Sequence, residues 1–353
     1  MVPLSAAARV LFGVALVIFL ELLHAKYKTG ACTTLDHTHR KHAFFRSQST
    51  AFKTNASVMS TCSDQKTSPP FVELSTSKHA APLSYDAALL NTWGFKQARC
   101  GKGDFLVANT GMVDDWICAS EGEQLVTAAM EVIVSVGCQN GALFLDVGSN
   151  TGFYGLNAIS HGCVAAFFDV QPGCNKVVNA ALLVNGFENR GVVMAAGLSD
   201  RTDVVLASSR STCSFESGRF PISAMETGTL KDGDVNVTML PLSHALSPTP
   251  SSRIFMMKID TEGVEQRVLA GAMPHFKEKA IDHVIVEVTP GFGFWERRSV
   301  LAADVANTMH DIAACGYSFT RLTSQAETAD PEQVRAMFLK PDFSQADFLI
   351  SRL

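Results

Sequence analysis

Charge is scarce in this chain, at 18% of residues, and the 29 Lys and Arg are outnumbered by 34 Asp and Glu for a formal net charge of −5. Without a basic excess there is no electrostatic footprint for a polyanion, so no nucleic-acid partner is expected. Tyrosine is also scarce, and none of the four tyrosines (Tyr27, Tyr85, Tyr154, Tyr317) has a lysine four residues later. That absence removes the Tyr/Lys pair on which a short-chain dehydrogenase depends. The nine cysteines include no CxxC pair and no zinc-like spacing, so no metal centre is expected. Their odd number leaves at least one thiol free or paired between chains. Cys138, Cys163 and Cys174 fall near core elements and read as small buried thiols.

Long hydrophobic runs are missing too. Val10–Leu20 is uninterrupted and apolar, with Arg9 before it, Glu21 ending it, and Lys26 and Lys28 beyond. It falls short of the roughly 20 residues of a spanning helix and matches a signal-peptide core or a signal anchor over residues 1–25. Lys26–Pro70 is rich in Ser, Thr, His, Lys and Arg, poor in acids and without hydrophobic period. Residues 26–80 therefore read as a disordered stem. His37, His39 and His42 belong to this solvated basic tail. The expectation is a protein of the secretory pathway, anchored in the membrane and facing the ER or Golgi lumen. The same composition also suits a bipartite plastid presequence. Asn55-Ala-Ser57 and Asn236-Val-Thr238 are glycosylation sequons.

Order is expected to resume between Pro82 and Trp93. Short strands at Asp104–Val107 and Trp116–Cys118 and an amphipathic helix at Gln124–Val136 make a cap over residues 81–137, leaving 138–353 as the main domain.

That domain is organised around Leu143–Tyr154, Leu-Phe-Leu-Asp-Val-Gly-Ser-Asn-Thr-Gly-Phe-Tyr. Leu143–Val147 is apolar except for Asp146, as in a strand buried on both faces. Gly148 and Gly152 bracket a tight turn, and Phe153 to His161 has helical spacing. A strand, a glycine turn and a helix begin a doubly wound α/β domain, and missing side chains at the turn let a ligand approach the backbone. The helix N-terminus would aim unpaired N–H groups at it. A dinucleotide pyrophosphate would be repelled by Asp146, whereas the sulfonium and ammonium of S-adenosylmethionine suit it. Gly148, Ser149, Asn150 and Gly152 are the candidate cradle.

Val164–Phe168 reads as the second strand, and Asp169 at its end lies about 20 residues past the turn, the placement of a ribose-binding acid. Pro172–Val184 reads as a helix and Gly191–Ala196 as the third strand, followed by a turn through Gly197, Leu198, Ser199 and Asp200 where an adenine edge would sit. Val204–Leu240 departs from the βα rhythm, with a Ser/Gly-rich loop at Ser208–Gly218 and a strand at Val235–Leu240. Strands at Ile254–Ile259, Val284–Val288, Tyr317–Arg321 and Phe348–Ser351, and helices at Glu265–Ala272 and Ala302–Cys315, complete the pattern.

The stretch Phe144–Tyr154, together with Lys258-Ile259-Asp260-Thr261-Glu262-Gly263-Val264-Glu265 and Val268-Leu269-Ala270-Gly271-Ala272, resembles the FkbM-type methyltransferases. Val286-Glu287-Val288, Gly316-Tyr317 and Asp347-Phe348 add agreement, and the likeness runs from about Asp104 to the C-terminus. The resemblance implies a class I, Rossmann-like methyltransferase fold: a doubly wound, mostly parallel seven-stranded sheet with one antiparallel edge strand. It also implies S-adenosyl-L-methionine as cofactor and methylation of hydroxyl oxygens on sugars, glycans or small metabolites. The family ends its second strand in Glu-Pro, where this chain has Asp169-Val-Gln171-Pro172.

Methyl transfer to a hydroxyl needs the acceptor proton removed. Asp260, at the end of Ile254–Ile259, is the first candidate for base or orienter, followed by Glu262 and Glu287, with His244 and His283 as further possible bases. The rival from another class is a catalytically inactive module that kept the fold and binds a glycan or protein. The intact Asp146, Gly148, Asn150 and Gly152 argue against it.

Overall fold

The computed structural model describes residues 94–353 except 110–116, 139–140, 209–212, 214–233, 247–252, 291–293, 324 and 326. The expected anchor, the stem, the return of order between Pro82 and Trp93, Trp116 and most of the Ser208–Gly218 loop lie outside the described residues. Among the described residues, no helix is long and apolar enough to cross a membrane.

Two short strands, β1 (Phe95–Gln97) and β2 (Leu106–Ala108), form an antiparallel hairpin. Helix α1 (Glu121–Gly137) follows, its first turn capped by the Ser120 hydroxyl, which accepts from the Glu123 N–H. The βα units are β3 (Leu143–Val147), α2 (Phe153–Ser160), β4 (Val164–Phe168), α3 (Pro172–Val184) and β5 (Gly191–Met194). Then come β6 (Ala196–Leu198), β7 (Asp203–Ser208), β8 (Asp234–Leu240) and the short α4 (Leu242–Ala245). The second half contains β9 (Ile254–Ile259), α5 (Glu265–Gly271), α6 (Met273–Lys277), β10 (Ile281–Val288), α7 (Phe294–Arg297), α8 (Ala302–Ala314), β11 (Tyr317–Arg321), β12 (Glu327–Ala329), α9 (Pro331–Phe338) and β13 (Ala346–Arg352).

The main sheet runs β12-β11-β13-β10-β9-β3-β4-β5. Strands β10, β9, β3, β4 and β5 are parallel neighbours, and β13 is antiparallel to both β10 and β11. The seven strands implied by the resemblance are present with two differences. The antiparallel strand β13 is internal, and a three-residue eighth strand, β12, pairs antiparallel with β11 at the edge.

The third-strand region also differs from expectation. Residue 195 breaks the ladder, and Gly197 and Leu198 lie on β6 in a separate three-stranded sheet, parallel to β8, which in turn pairs antiparallel with β7. This second sheet accounts for the departure of Val204–Leu240 from the βα rhythm.

Period-two alternation sends Leu143, Leu145 and Val147 to one core, with α5, α8 and α9, and Phe144 to the other, with α1, α2 and α3. Met256, Ile285 and Leu349 share the second face. Asp146, Lys258, Glu287 and Asp347 follow the same parity on their strands, so the fold directs four ionisable side chains toward α1 and α2.

Cys138, Cys163 and Cys174 are not free thiols, as the sequence reading had them. Three disulfides join Cys100 to Cys118, Cys138 to Cys163 and Cys174 to Cys213, leaving Cys315 free among the described residues. Their partners are 18, 25 and 39 residues apart, a proximity that spacing alone does not reveal. Cys118 lies in a turn before α1 rather than in a strand.

Candidate active site

The glycine turn is built for close backbone approach. Gly148 has φ +77°, and a Cβ there would lie 1.7 Å from the Asp260 carbonyl oxygen. Gly152 has φ +80° and serves as the N-cap of α2. Asn150 also adopts a left-handed conformation, at φ 48°. Gly155 answers a packing demand instead, since a Cβ would lie 2.2 Å from the Phe167 ring on β4.

The structure gives Asp146 a task the sequence did not suggest. Its carboxylate is 2% exposed and accepts the Gly155 N–H at 2.8 Å. The anion at the start of α2 is thus the protein's own, and that N–H is not left for a ligand. Burial pushes the Asp146 carboxyl up to about 7, against the opposing pull of the Gly155 hydrogen bond and Lys258.

Asp169 accepts the Asn150 N–H through one oxygen and the Gln171 N–H through the other, both at 2.8 Å, while Asn175 donates to the Asp169 carbonyl at 3.0 Å. Burial raises its carboxyl to about 6. Each carboxylate oxygen retains a second lone pair for a ligand hydroxyl. The buried Ser149 hydroxyl has no hydrogen-bond partner among the described residues, an orphan donor and acceptor on the turn itself. The turn, Ser149, Asn150 and Asp169 therefore fit a nucleoside cofactor at the carboxyl edge of the sheet.

Leu198 ends strand β6 rather than lying in a turn, and Ser199 follows it directly. Leu198 is 2% exposed within the apolar core, and the Ser199 N–H is committed to the Leu240 carbonyl at 2.9 Å. Ser199 presses its carbonyl against α5, where a Cβ on Gly271 would lie 1.9 Å away.

Beside the turn stands a carboxylate cluster. Oxygens of Glu123 on α1, Asp260 after β9 and Glu287 on β10 lie within 4.8 Å of one another. Asp347 on β13 faces Glu287 directly across the antiparallel ladder. Tyr154 donates its phenol proton to the Glu123 carboxylate. Glu287 also accepts from the Thr289 hydroxyl at 3.2 Å and from the Gln345 amide.

Threaded among these acids is Lys258, 1% exposed, its Nζ 3.5 Å from an Asp260 oxygen and 5.1 Å from the Tyr154 ring centre. Burial opposes its charge. Asp260, Glu123, Glu287 and Asp347 nonetheless hold its pKa above the ordinary lysine value. The acids move in the direction expected of crowded, desolvated carboxylates. Glu287 is raised well above the usual range by burial and then by Asp260, and burial brings Asp347 up to about 7.

Residues 146–319 match the methyltransferase FkbM domain. The chain carries an FkbM methyltransferase domain across these residues.

The solved structure of methyltransferase FkbM from Methylobacillus flagellatus KT is 14% identical, with a TM-score of 0.36 over 60% of this chain and 43% of that one. The chain thus spans less than half of that protein. Sp1610 from Streptococcus pneumoniae, in complex with S-adenosyl-L-methionine, is 12% identical at a TM-score of 0.31, covering 63% of this chain and 71% of its own. TrmK from M. capricolum, with S-adenosyl-homocysteine, is 7% identical at 0.30, covering 63% and 67%. No protein of curated function matches the chain.

Of the expected catalytic residues, Asp260 and Glu287 come together in the cluster. Glu262 lies in the turn at φ 56°, its carboxyl raised to about 7 by burial and by Asp260, with Arg298 partly offsetting them. Glu265 holds that turn, accepting the Thr261 and Gly263 N–H groups at 3.2 and 2.8 Å and the Thr261 hydroxyl at 3.0 Å. His244 is exposed and lies 3.3 Å from the Thr202 hydroxyl. His283 is placed toward the amino end of β10, opposite Ser351, and is lowered to about 4 by burial, away from the catalytic edge.

Sequence reasoning missed Lys258, Asp347, Glu123 and Tyr154 as site residues. A signal existed for the first two: a charge on a mostly apolar strand, Lys258 in IFMMKI and Asp347 in ADFLISR, is out of place unless it is paired. Glu123 carried none, because acids are ordinary in the first turn of an amphipathic helix.

Proposed function

We propose that this methyltransferase moves the methyl group of S-adenosyl-L-methionine to a hydroxyl oxygen of a sugar, glycan or small metabolite. The observation that carries the reading is the cluster of crowded carboxylates beside the glycine turn. Carboxyls raised toward neutrality can take a proton from an alcohol at physiological pH, as an ordinary surface carboxylate cannot.

When bound, the cofactor supplies an electrophilic methyl group on a sulfonium. The Gly148–Gly152 backbone, Ser149, Asn150 and Asp169 would hold it, and Asp146 would act behind the turn by fixing α2. The acids at the carboxyl ends of β9 and β10 orient the acceptor and remove its proton. Alignment of nucleophile, carbon and sulfur is the main contribution of such a site, with about 7–11 kcal/mol available in the best-oriented intramolecular reactions.

Three disulfides support an oxidising compartment, in keeping with a secretory location for which the N-terminal apolar run would be the signal or anchor.

The test is calorimetry of the purified protein with S-adenosyl-L-methionine, followed by incubation with methyl-labelled cofactor and a panel of glycans and hydroxylated metabolites. Binding heat and label in a base-stable ether product are expected. A folded protein that gives no heat would be an inactive binding module instead.

A further inference from the structure

Lys258 is the group in the site whose bonding is least explained. A lysine ammonium has three donors and strong hydration, and burying one costs several kcal/mol unless its hydrogen bonds are met. Here the side chain is 1% exposed and the Nζ has no hydrogen-bond partner among the described residues; its ion pair with Asp260 is long, at 3.5 Å. The stem runs up the α1/α2 face beside Asp146, its direct neighbour across the β3–β9 ladder. The head then stops among Glu123, Asp260, Glu287 and Asp347, with the Tyr154 ring beneath it. A counter-ion for Asp146 alone would not need to reach the catalytic edge.

We propose that the Lys258 ammonium receives the acceptor oxygen and that Glu287 takes its proton, in a pocket suited to an uncharged acceptor carrying neighbouring hydroxyls. This inference rests on the methyl-transfer reading above. In the step, the acceptor O–H bond breaks and its proton passes to the Glu287 carboxylate. An oxygen lone pair forms the O–CH3 bond, the C–S bond breaks, and its electron pair stays on sulfur. Lys258 keeps its proton throughout and stabilises the negative charge developing on oxygen. Asp260 holds the ammonium in place. Asp347, opposite Glu287, keeps that carboxyl basic. A hydroxyl both donates and accepts, so a diol can satisfy the orphan ammonium and the surrounding carboxylates together. An acidic or phosphorylated acceptor would meet four acids.

The assignment can be tested by binding, with two cofactor analogues as probes. S-adenosylhomocysteine leaves the position of the transferred methyl empty; sinefungin puts an ammonium there, facing the proposed pocket. Titration calorimetry on wild type, Lys258→Met and Glu287→Gln then reads the pocket's charge. Lys258→Met should tighten sinefungin about tenfold by removing a like charge, and Glu287→Gln should weaken it by a similar factor, while S-adenosylhomocysteine changes less than about threefold in both. In wild type the preference for sinefungin should grow from pH 6 to 8 as Asp347, raised to about 7 by burial, ionises across the ladder from Glu287. The other charged groups facing Glu287 are Asp260 after β9 and Glu123 on α1, with Lys258 as the opposing cation and Tyr154 as the Glu123 donor. If Lys258→Met fails to fold, the Glu287→Gln arm and the pH series decide alone. Equal shifts for both analogues would make Lys258 a structural counter-ion and overturn the proposal, as would no shift at all. Absence of heat with S-adenosylhomocysteine on folded wild type would remove the methyl-transfer reading beneath it.

Discussion

Replacing Asp146 with Asn should make the protein more stable at high pH than at low pH relative to wild type. Asp146 is 2% exposed, and its carboxyl is raised from 3.8 to about 7, chiefly by burial. A carboxyl whose folded pKa lies above its unfolded value contributes stability below the unfolded value and loses it as pH rises through the folded one. In wild type that loss runs from about pH 4 to about pH 7. A rise of about three in pKa, at about 1.4 kcal/mol for each step of one, amounts to roughly 4 kcal/mol. Asn keeps an oxygen to accept the Gly155 N–H and does not titrate, so the variant escapes the loss. Denaturant midpoints of both proteins, disulfides intact, should therefore diverge by roughly 4 kcal/mol in favour of the variant between pH 4 and pH 8, whatever the offset at pH 4. Groups that titrate alike in the two proteins cancel. A difference that stays constant across this range would refute the claim that Asp146 is a desolvated carboxyl tied to α2.

Glu287→Gln should lower the rate of labelled-methyl transfer by about 10²–10⁴-fold, the worth of general-base catalysis, and Asp260→Asn by less, since Asp260 is engaged with Lys258; the reverse order of initial rates would make Asp260 the base. Glu265→Ala strips three hydrogen bonds from the 261–263 turn and leaves two backbone N–H groups unmet, which should cost about 3–5 kcal/mol by chemical denaturation. Gly155→Ala forces a Cβ against the Phe167 ring and should cost about 1–3 kcal/mol, with a matching fall in melting temperature.

The strands β3, β4 and β9 lie where their apolar runs placed them, because a strand buried on both faces announces itself locally. The helix of Pro172–Val184 likewise follows from its N-terminal proline and spacing. β12 and α9 escaped notice: one is a three-residue edge strand, and the other is a short helix whose capping box at Asp330 and Gln333 is its clearest mark. The turn at Gly197–Ser199 became a strand because β8, some 40 residues later, supplies its ladder partner, and no local pattern encodes that.

By itself, the sequence determined the doubly wound class, the glycine turn and the presence of Asp146, Asp169 and Asp260 at strand ends, since each depends on residues close in the chain. The tertiary structure alone decided what those acids touch. Asp146 and Asp169 bond the backbone of the turn, three disulfides join distant cysteines, and Lys258 meets Glu123, Glu287 and Asp347 from four different elements. Desolvation and charge crowding depend on what packs around a group in space, so the raised carboxyls and the buried ammonium appear only when strands of the right parity bring them to one face.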